Sequence, residues 1–274
     1  MKVPIEDGFE DVLQKAAVGR RLGYAAVALR AGLSLKEVRA LISGEFNEAH
    51  VRKVAPVLDL DVDKLISMGV GEWRPEPVDL LGLKMFHMPF PEASYPDASV
   101  NCYLVYHPDT KDAIAFDSGT TADPIVEYLD EKGIALRAVF LTHTHRDHVG
   151  GYEKLVAAAR TGRVFAPANE PYLNASPLEP GTEMELCGFK IRAVLTNGHS
   201  KGGLSYIVTG LERQLAFVGD SLFSLSIGGA KRAYRLALKN NKEKLLSLSG
   251  ATILCPGHGP MTTVAEELAH NPFF

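Results

Sequence analysis

Four potential metal ligands lie within six consecutive positions of the chain. The segment that begins at Thr142 reads THTHRDHVGG, and its potential ligands are His143, His145, Asp147 and His148. Imidazole nitrogens and carboxylate oxygens bind zinc, iron and manganese, whereas a packed core has little use for so many of them. The segment therefore predicts a metal site that uses no cysteine.

The surrounding residues predict that this segment follows a buried strand. Residues 136–141 form a short apolar run typical of a strand, and residues 152–160 have the pattern of a helix. If the chain stays extended after the strand, alternation puts the first two histidines and Asp147 on one side, and the glycine pair 150–151 lets the backbone turn into the helix. His148 would then point the other way, which favours two metals.

Three further potential ligands follow strand-like runs downstream. In each case an apolar run stops and a polar, glycine-rich loop carries the side chain, which is how a rigid sheet presents functional groups. The three are His199 in TNGHSKGG, Asp220 in FVGDSLF and His258 in ILCPGHGP. The repetition predicts that they complete the same site.

The ordered motifs THTHRDH, GHS, GD and GHG resemble those of the metallo-β-lactamase fold superfamily, especially its glyoxalase II-like (hydroxyacylglutathione hydrolase-like) hydrolases. The resemblance covers residues 80–274 and implies an α/β fold, a four-layer αββα sandwich of two mixed sheets. It also implies a ligand set: His143, His145 and His199 for one metal, Asp147, His148 and His258 for the second, and Asp220 as the bridge.

This ligand set implies hydrolysis by a metal-activated hydroxide at a dinuclear centre. A divalent metal lowers the pKa of bound water from about 15.7 to about 7, and we expect two such ions, with zinc favoured over iron or manganese. Asp147 and Asp220 are then the catalytic carboxylates. A thioester substrate fits because its thiolate leaving group has a conjugate acid of pKa ~8.5.

Other activities fit some of the same residues. A lactone or another activated ester suits the same chemistry. The persulfide dioxygenases resemble glyoxalase II in these motifs but use a single iron, bound at the equivalents of His143, His199 and Asp220. Metal content separates that alternative from a hydrolase.

Substrate-binding residues are predicted in two segments. Residues 88–101 are rich in proline, serine and alanine, and they predict a loop that overhangs the metals with Tyr95 at its middle. After Asp220, residues 231–248 predict a basic helix in which Lys231 and Tyr234 could meet an anionic acyl carrier; a solvated helix face explains the same charges.

Composition agrees with a cytoplasmic enzyme. The chain has 274 residues, of which 46% are hydrophobic and 23% charged, and no apolar stretch is long enough to span a bilayer. A net charge of -4 gives no attraction to nucleic acids or anionic membranes. The three cysteines are widely spaced, which favours reduced thiols over disulfides.

The N-terminal residues 1–72 predict a separate, all-helical domain, joined by a linker at 73–80 to a catalytic domain at 81–274. The helical pattern resembles lambda-repressor-like helix-turn-helix domains, with Leu35–Ser43 at the recognition-helix position. Residues 1–72 nevertheless contain ten Lys or Arg against eleven Asp or Glu, which does not favour phosphate binding. Docking or homodimerisation is therefore preferred, and a DNA-binding regulator with a metal sensor stays an alternative.

Capping patterns and one proline refine these helices. Ser34 with Glu37 predicts a capping box, and Asp61 predicts a second helix start. Pro56 should kink the fourth helix because it removes a hydrogen bond.

In the catalytic domain, strands are predicted at 81–87, 100–106, 113–117, 136–141, 163–166, 184–195, 204–209, 214–218 and 251–255. Helices are predicted near 121–132, 150–160, 231–248 and 262–269.

Overall fold

The computed structural model describes residues 3–90, 98–159 and 162–274. In chain order the helices are α1 (Phe9–Gly19), α2 (Tyr24–Ala31), α3 (Leu35–Ile42), α4 (Glu48–Val57), α5 (Val62–Gly69), α6 (Asp123–Lys132), α7 (Arg146–Val149), α8 (Tyr152–Ala158), α9 (Tyr234–Asn240) and α10 (Val264–His270). A π-helical turn, Asn241–Leu245, continues α9.

Twelve strands form the described part of the sheets. They are β1 (Leu83–Pro89), β2 (Ser99–Tyr106), β3 (Asp112–Phe116), β4 (Ala135–Phe140), β5 (Arg163–Pro167), β6 (Ser176–Leu178), β7 (Glu183–Leu186), β8 (Phe189–Leu195), β9 (Leu204–Thr209), β10 (Leu215–Gly219), β11 (Ile253–Pro256) and β12 (Thr262–Thr263).

The strands build two six-stranded sheets, ordered β1-β2-β3-β4-β5-β6 and β12-β11-β10-β9-β8-β7. Each sheet mixes parallel and antiparallel pairs. In the first, β3, β4, β5 and β6 run parallel, and in the second, β10 and β11 run parallel. Parallel neighbours end at the same edge, so the loops that follow them lie side by side.

Apolar side chains pack between the two sheets and outside each of them. The inner layer includes Phe116 and Phe217, whose rings stack at 3.7 Å from opposite sheets. On the outside of the first sheet, Ile125 of α6 and Leu155 of α8 join its core. Residues of the second sheet pack against α9, the π-helical turn and α10. The four-layer αββα sandwich expected from the resemblance is therefore confirmed.

The N-terminal helices α1–α5 surround a core of their own. Ser34 accepts a hydrogen bond from the amide of Glu37 at 3.2 Å, and Glu37 accepts one from the amide of Ser34 at 2.6 Å, so the predicted capping box forms. Asp61 caps α5 by accepting from Lys64 N at 3.0 Å. The predicted kink at Pro56 is wrong, because Pro56 is the penultimate residue of α4 and no further turn follows it.

The N-terminal helices contact the C-terminal end of the chain. Asp61 N donates to the carbonyl of Pro272 at 2.8 Å, and Lys64 Nζ donates to that of Leu268 at 2.7 Å. Trp73 stacks on His270 with ring centroids 4.0 Å apart. Phe273 packs against both the helical core and the outer core of the second sheet. These contacts join the helical region to α10.

Two predicted elements differ from the structure. The strand expected over 184–195 is divided into β7 and β8 because Cys187 and Gly188 adopt positive φ angles of 56° and 80°. The helix expected over 231–248 begins only at Tyr234 and changes to a π-helical turn at Asn241. Among the residues described, no helix is both long and apolar enough to cross a bilayer.

Candidate metal centre

The predicted ligands lie on loops that follow four strands at one edge of the sandwich. His143 and His145 lie three and five residues after the end of β4, and Asp147 and His148 lie in the short helix α7. The loops after β8, β10 and β11 carry the remaining three downstream ligands, His199, Asp220 and His258. Because β10 and β11 are parallel, with Gly219 opposite Pro256, Asp220 and His258 lie side by side after the ends of these strands.

A first cluster contains three histidines and one aspartate. Its ligand atoms belong to His143, His145, His199 and Asp220 and lie within 4.8 Å of one another. His145 Nδ1 is 3.1 Å from His143 Nε2 and 2.9 Å from His199 Nε2. Asp220 Oδ2 is 3.3 Å from His199 Nε2. A tetrahedral ion with bonds of about 2.0–2.1 Å has ligands about 3.3 Å apart, so the cluster matches one cation in size.

A second cluster contains Asp147, His148 and His258, with the same limit of 4.8 Å on the separation of its ligand atoms. His258 Nε2 is 3.3 Å from Asp147 Oδ2 and 3.3 Å from Asp220 Oδ2. His148 Nε2 is 3.3 Å from Asp220 Oδ1. Asp220 therefore lies between the two clusters and faces histidines of both.

Hydrogen bonds at the far ring nitrogens aim the histidines into the clusters. The carbonyl of Gly229 can only accept, so His199 Nδ1, 3.0 Å away, carries the proton and its Nε2 keeps a free lone pair. His258 Nδ1 likewise donates to the carbonyl of Ser99. His143 Nδ1 is 3.0 Å from the Thr142 hydroxyl. Such outer contacts fix the orientation and tautomer of metal-binding histidines.

Two buried polar atoms at the junction of the clusters have no hydrogen-bond partner. They are His148 Nε2 and Asp220 Oδ1, and both side chains are almost wholly buried. Leaving such atoms unsatisfied costs about 1–3 kcal/mol each, which a bound cation would offset. Gly257 keeps the space open, since a Cβ there would lie 2.2 Å from Asp220 Oδ1. The residues present thus fit a divalent cation.

The electrostatics differ between the two clusters. Burial lowers the pKa of His143 well below its usual range, and burial also lowers the pKa of His199. Burial alone would lower the pKa of His148, but the carboxylates of Asp220 and Asp117 outweigh it and raise that pKa to about 10. Without metal, these shifts favour neutral His143 and His199 in the first cluster and a protonated His148 in the second.

The backbone of the 143–151 segment differs from the extended trace expected from the sequence. Residues Arg146–Val149 form the helix α7, so Asp147 turns away from the first cluster and joins His148. Gly150 and Gly151 have ordinary negative φ angles of -61° and -88°. They are needed for a close approach instead, because a Cβ at Gly151 would lie 2.4 Å from Ala122 N.

The three predicted substrate residues have different outcomes. Tyr95 lies outside the described residues. Lys231 is exposed on the loop between Asp220 and α9, so its role stays a prediction. Tyr234 is only 5% exposed and packs against Gly19 and Phe273, where burial raises its pKa to about 12. The structure does not bring Tyr234 to the clusters, and the predicted substrate contact is corrected to a packing contact.

Three supporting residues were missed from the sequence. The buried Asp117 carboxylate accepts from His148 Nδ1 at 2.9 Å and from the Thr142 hydroxyl at 2.8 Å. Glu170 links the loops of both sheets by accepting from Thr144 N at 3.0 Å and Gly202 N at 2.9 Å. Asn101 holds the His258 loop by donating to the carbonyl of Gly259 at 2.7 Å.

A simple positional signal could have identified two of the three. Asp117 directly follows β3, and Glu170 comes three residues after β5, so each is a polar residue at the carboxyl end of a strand beside β4. The same rule located the ligands themselves. Asn101 lies inside a strand and carries no such signal.

Comparisons with known proteins agree with this geometry. The chain is 29% identical over 199 residues to hydroxyacylglutathione hydrolase GloC of Haemophilus influenzae, an alignment that covers 63% of this chain and 92% of that protein. The structure of BLEG-1 B3 metallo-beta-lactamase superimposes with a TM-score of 0.57 and 28% identity, covering 69% of this chain and 99% of that one.

A further solved structure, TTHA1623 in a di-iron-bound form, has a TM-score of 0.51 and 27% identity, covering 74% of this chain and 100% of its own. The sequence model of the metallo-beta-lactamase superfamily matches residues 95–258, more than half of the chain. With both sheets and the histidine and aspartate clusters in place, the chain belongs to the metallo-beta-lactamase superfamily.

Proposed function

We propose that this protein is a dinuclear metallohydrolase that cleaves thioesters. In this proposal His143, His145 and His199 bind one divalent cation, Asp147, His148 and His258 bind the other, and Asp220 bridges them. The observation that carries the proposal is the position of Asp220, whose Oδ1 is 3.3 Å from His148 Nε2 and whose Oδ2 is 3.3 Å from His199 Nε2.

Seven donors favour two cations over one. A mononuclear iron site of the dioxygenase type would use only His143, His199 and Asp220. Asp147, His148 and His258 would then lie close together with no metal ion to bind. Two carboxylates and neutral histidines carry a total charge of about -2, so two divalent cations would leave the centre about +2 and attract an anion or an oxyanion.

The side chains around the clusters would determine where hydrolysis occurs and from which side the substrate enters. When bound, divalent cations lower the pKa of water toward neutrality and polarise carbonyl groups, so hydrolysis needs no dedicated side-chain base. His145 is exposed, whereas His143 and His148 are buried, so the clusters open to solvent on the His145 side. A thioester entering there suits the site because its thiolate leaves without a proton, given a conjugate acid of pKa ~8.5.

The donor set suits zinc, iron and manganese, and zinc is the metal that we propose. The set offers imidazole and carboxylate without thiolate, a combination that zinc shares with iron and manganese. The name of the relative GloC states that it hydrolyses hydroxyacylglutathione, which is the thioester class proposed here. A lactone is the other carbonyl substrate that suits the same geometry.

The test is hydrolysis of acyl thioesters by the full chain loaded with zinc, iron or manganese. We expect measurable thioesterase activity that falls by roughly 100-fold or more in His145→Ala and Asp220→Ala. His50→Ala is the matched control, because His50 faces Glu37 in the helical region, 3.4 Å away. Full activity in Asp220→Ala would contradict the proposal. A single iron with oxygen uptake on a persulfide would replace the hydrolase by the dioxygenase.

A further inference from the structure

The segment that precedes α1 lies against the loop that carries His258. This N-terminal segment comprises residues 3–8. A Cβ built on Gly259 would lie 3.2 Å from Glu6 N and 3.8 Å from the carbonyl oxygen of Pro4, so the two backbones are in direct contact. Gly259 also has a positive φ of 73°, which favours glycine. The residue next to His258 therefore leaves room for the N-terminal segment.

Glu6 brings a carboxylate to the outer side of the His258 ring. His258 Nδ1 donates to the carbonyl of Ser99, and Glu6 Oε1 lies 3.9 Å from the same nitrogen. On the opposite side of the ring, Nε2 faces Asp147 and Asp220. At 3.9 Å the Glu6 carboxylate accepts no hydrogen bond, so it acts on the ring through its charge. The side chain of Glu6 is 27% exposed and that of His258 is 11% exposed, so water screens this charge only in part.

Lys15 of α1 fixes the N-terminal segment in place. Its ammonium forms an ion pair with the buried carboxylate of Asp7 and donates to the carbonyl of Ile227 at 2.8 Å. Lys15 Nζ also lies 4.9 Å from the centre of the Phe223 ring, and that ring packs edge-on against His258 with centroids 5.4 Å apart. The helical region thus holds both the N-terminal segment and an aromatic neighbour of His258.

The outer contacts of the first cluster have a different origin. His199 Nδ1 donates to the carbonyl of Gly229, and His143 Nδ1 is 3.0 Å from the Thr142 hydroxyl. Both partners lie on loops that follow strands of the two sheets. Loss of the Glu6 charge should therefore change the metal affinity of the second cluster more than that of the first.

We propose that Glu6 is a positioning residue of the second cluster, and that its charge strengthens His258 as a ligand of the second cation. A negative charge near the outer nitrogen raises the basicity of the ring at Nε2 and favours a cation bound there. The inference rests on the two cations of the proposed function but not on the thioester substrate. Glu6 precedes residues 95–258, which the superfamily model matches, so the N-terminal segment adds this contact to the site.

The experiment measures the two stepwise zinc affinities of the metal-free full chain by competition with a chromophoric chelator. His258→Ala keeps the first cluster intact and so shows which affinity belongs to that cluster. Glu6→Gln keeps the size of the side chain and removes its charge. We expect this variant to lower the affinity of the second cluster roughly tenfold and to change that of the first by less than about twofold.

Two further variants separate the charge of Glu6 from a structural effect. Glu6→Asp keeps the charge and should lose less affinity than Glu6→Gln. Glu10→Gln is the matched control, because the Glu10 carboxylate lies within the helical region, with Oε1 3.7 Å from a Cβ built on Gly44. Both zinc affinities of this control should equal those of the wild type.

A selective loss at the second cluster in Glu6→Gln, smaller in Glu6→Asp, would support the inference. An unchanged second affinity in Glu6→Gln, equal losses at both clusters, or equal losses in Glu6→Gln and Glu6→Asp would overturn it while the dinuclear site of the proposed function stands. A wild type that binds a single zinc ion would overturn the proposed function and this inference together.

Discussion

At the scale of single residues, Asp117 connects the two clusters without belonging to either. Its Oδ2 accepts from His148 Nδ1 at 2.9 Å and from the Thr142 hydroxyl at 2.8 Å. Because that hydroxyl donates to Asp117, its lone pair accepts from His143 Nδ1, 3.0 Å away. One carboxylate therefore orients a histidine of each cluster.

We predict that Asp117→Asn weakens metal binding by roughly 10–100-fold, as is usual when a partner of a metal-binding histidine is replaced. Asparagine suits the test because Asp117 has a positive φ of 59°, which asparagine tolerates. The measurement is competition with a chromophoric chelator. Asp112→Asn is the control, since Asp112 pairs with Arg137 at 2.6 Å at the other end of β3. Affinities equal to the wild type would show that Asp117 does not orient the site.

The sequence predicted the seven donors but not their supports. The donors are local signals, because each stands in a glycine-rich loop directly after an apolar run. Glu170 and Asn101 act through backbone groups of loops that are distant in the chain, Gly202 and Gly259, so their roles depend on the packing of the two sheets. The substrate role predicted for Tyr234 also depended on packing that the sequence does not show, because α1 packs against this side chain and buries it.

At the scale of elements, α10 holds the loop that follows Asp220. Its buried Glu267 accepts from Leu225 N at 3.0 Å, from Thr262 Oγ1 at 2.9 Å and from Asn271 Nδ2 at 2.8 Å. Burial outweighs these hydrogen bonds and raises the pKa of Glu267 to about 7. The ionised carboxylate is therefore less favourable in the folded chain than in the unfolded one.

This shift predicts a pH-dependent stability. Glu267 has an ordinary pKa of 4.5 and a folded pKa of about 7, so the folded state binds the extra proton between these values and stability falls as pH rises through them. Between pH 5 and 8, the free energy of unfolding of the wild type should fall by roughly 2–3 kcal/mol relative to Glu267→Gln.

The measurement is denaturant unfolding of metal-free wild type and Glu267→Gln across that pH range. Glu266→Gln is the matched control, because it removes a half-buried carboxyl group from the same helix. A wild-type stability that runs parallel to that of Glu267→Gln at all pH values would contradict the assignment.

The sequence predicted the helical or strand character of the longer elements better than it predicted very short elements and interruptions within a strand. Long periodic segments such as α3 and α6, and apolar runs such as β4 and β10, form where the sequence predicted them. The four-residue α7 and the two-residue β12 are too short to show a period. The break between β7 and β8 depends on a positive φ at Cys187, a residue type that does not signal one.

At the scale of the whole molecule, the helical region contacts both the C-terminal residues and the loop beside the clusters. The sequence predicted helices over 1–72 but not where they pack, because docking depends on surfaces that are formed by distant parts of the chain. DNA binding through this region stays an alternative to docking or homodimerisation, and Lys36 and Arg39 of α3 are exposed. The observed contacts join these helices to α10 and to the loop that follows Asp220.

We predict that Phe273→Ala loosens this docking. Phe273 is half-buried between the helical core and the outer core of the second sheet, so its loss should cost roughly 1–3 kcal/mol and lower the Tm of the helical region first. Differential scanning calorimetry should then show an earlier or separate transition. Leu268→Ala is the control, since Leu268 is 48% exposed. An unshifted single transition in Phe273→Ala would show that Phe273 does not couple the two regions.

Metal analysis of the purified full chain by mass spectrometry measures whether the seven donors bind a pair of cations. We expect about two divalent ions per chain in the wild type and about one in His258→Ala, which keeps the first cluster intact. A single ion in the wild type that His258→Ala retains in full would contradict the dinuclear site.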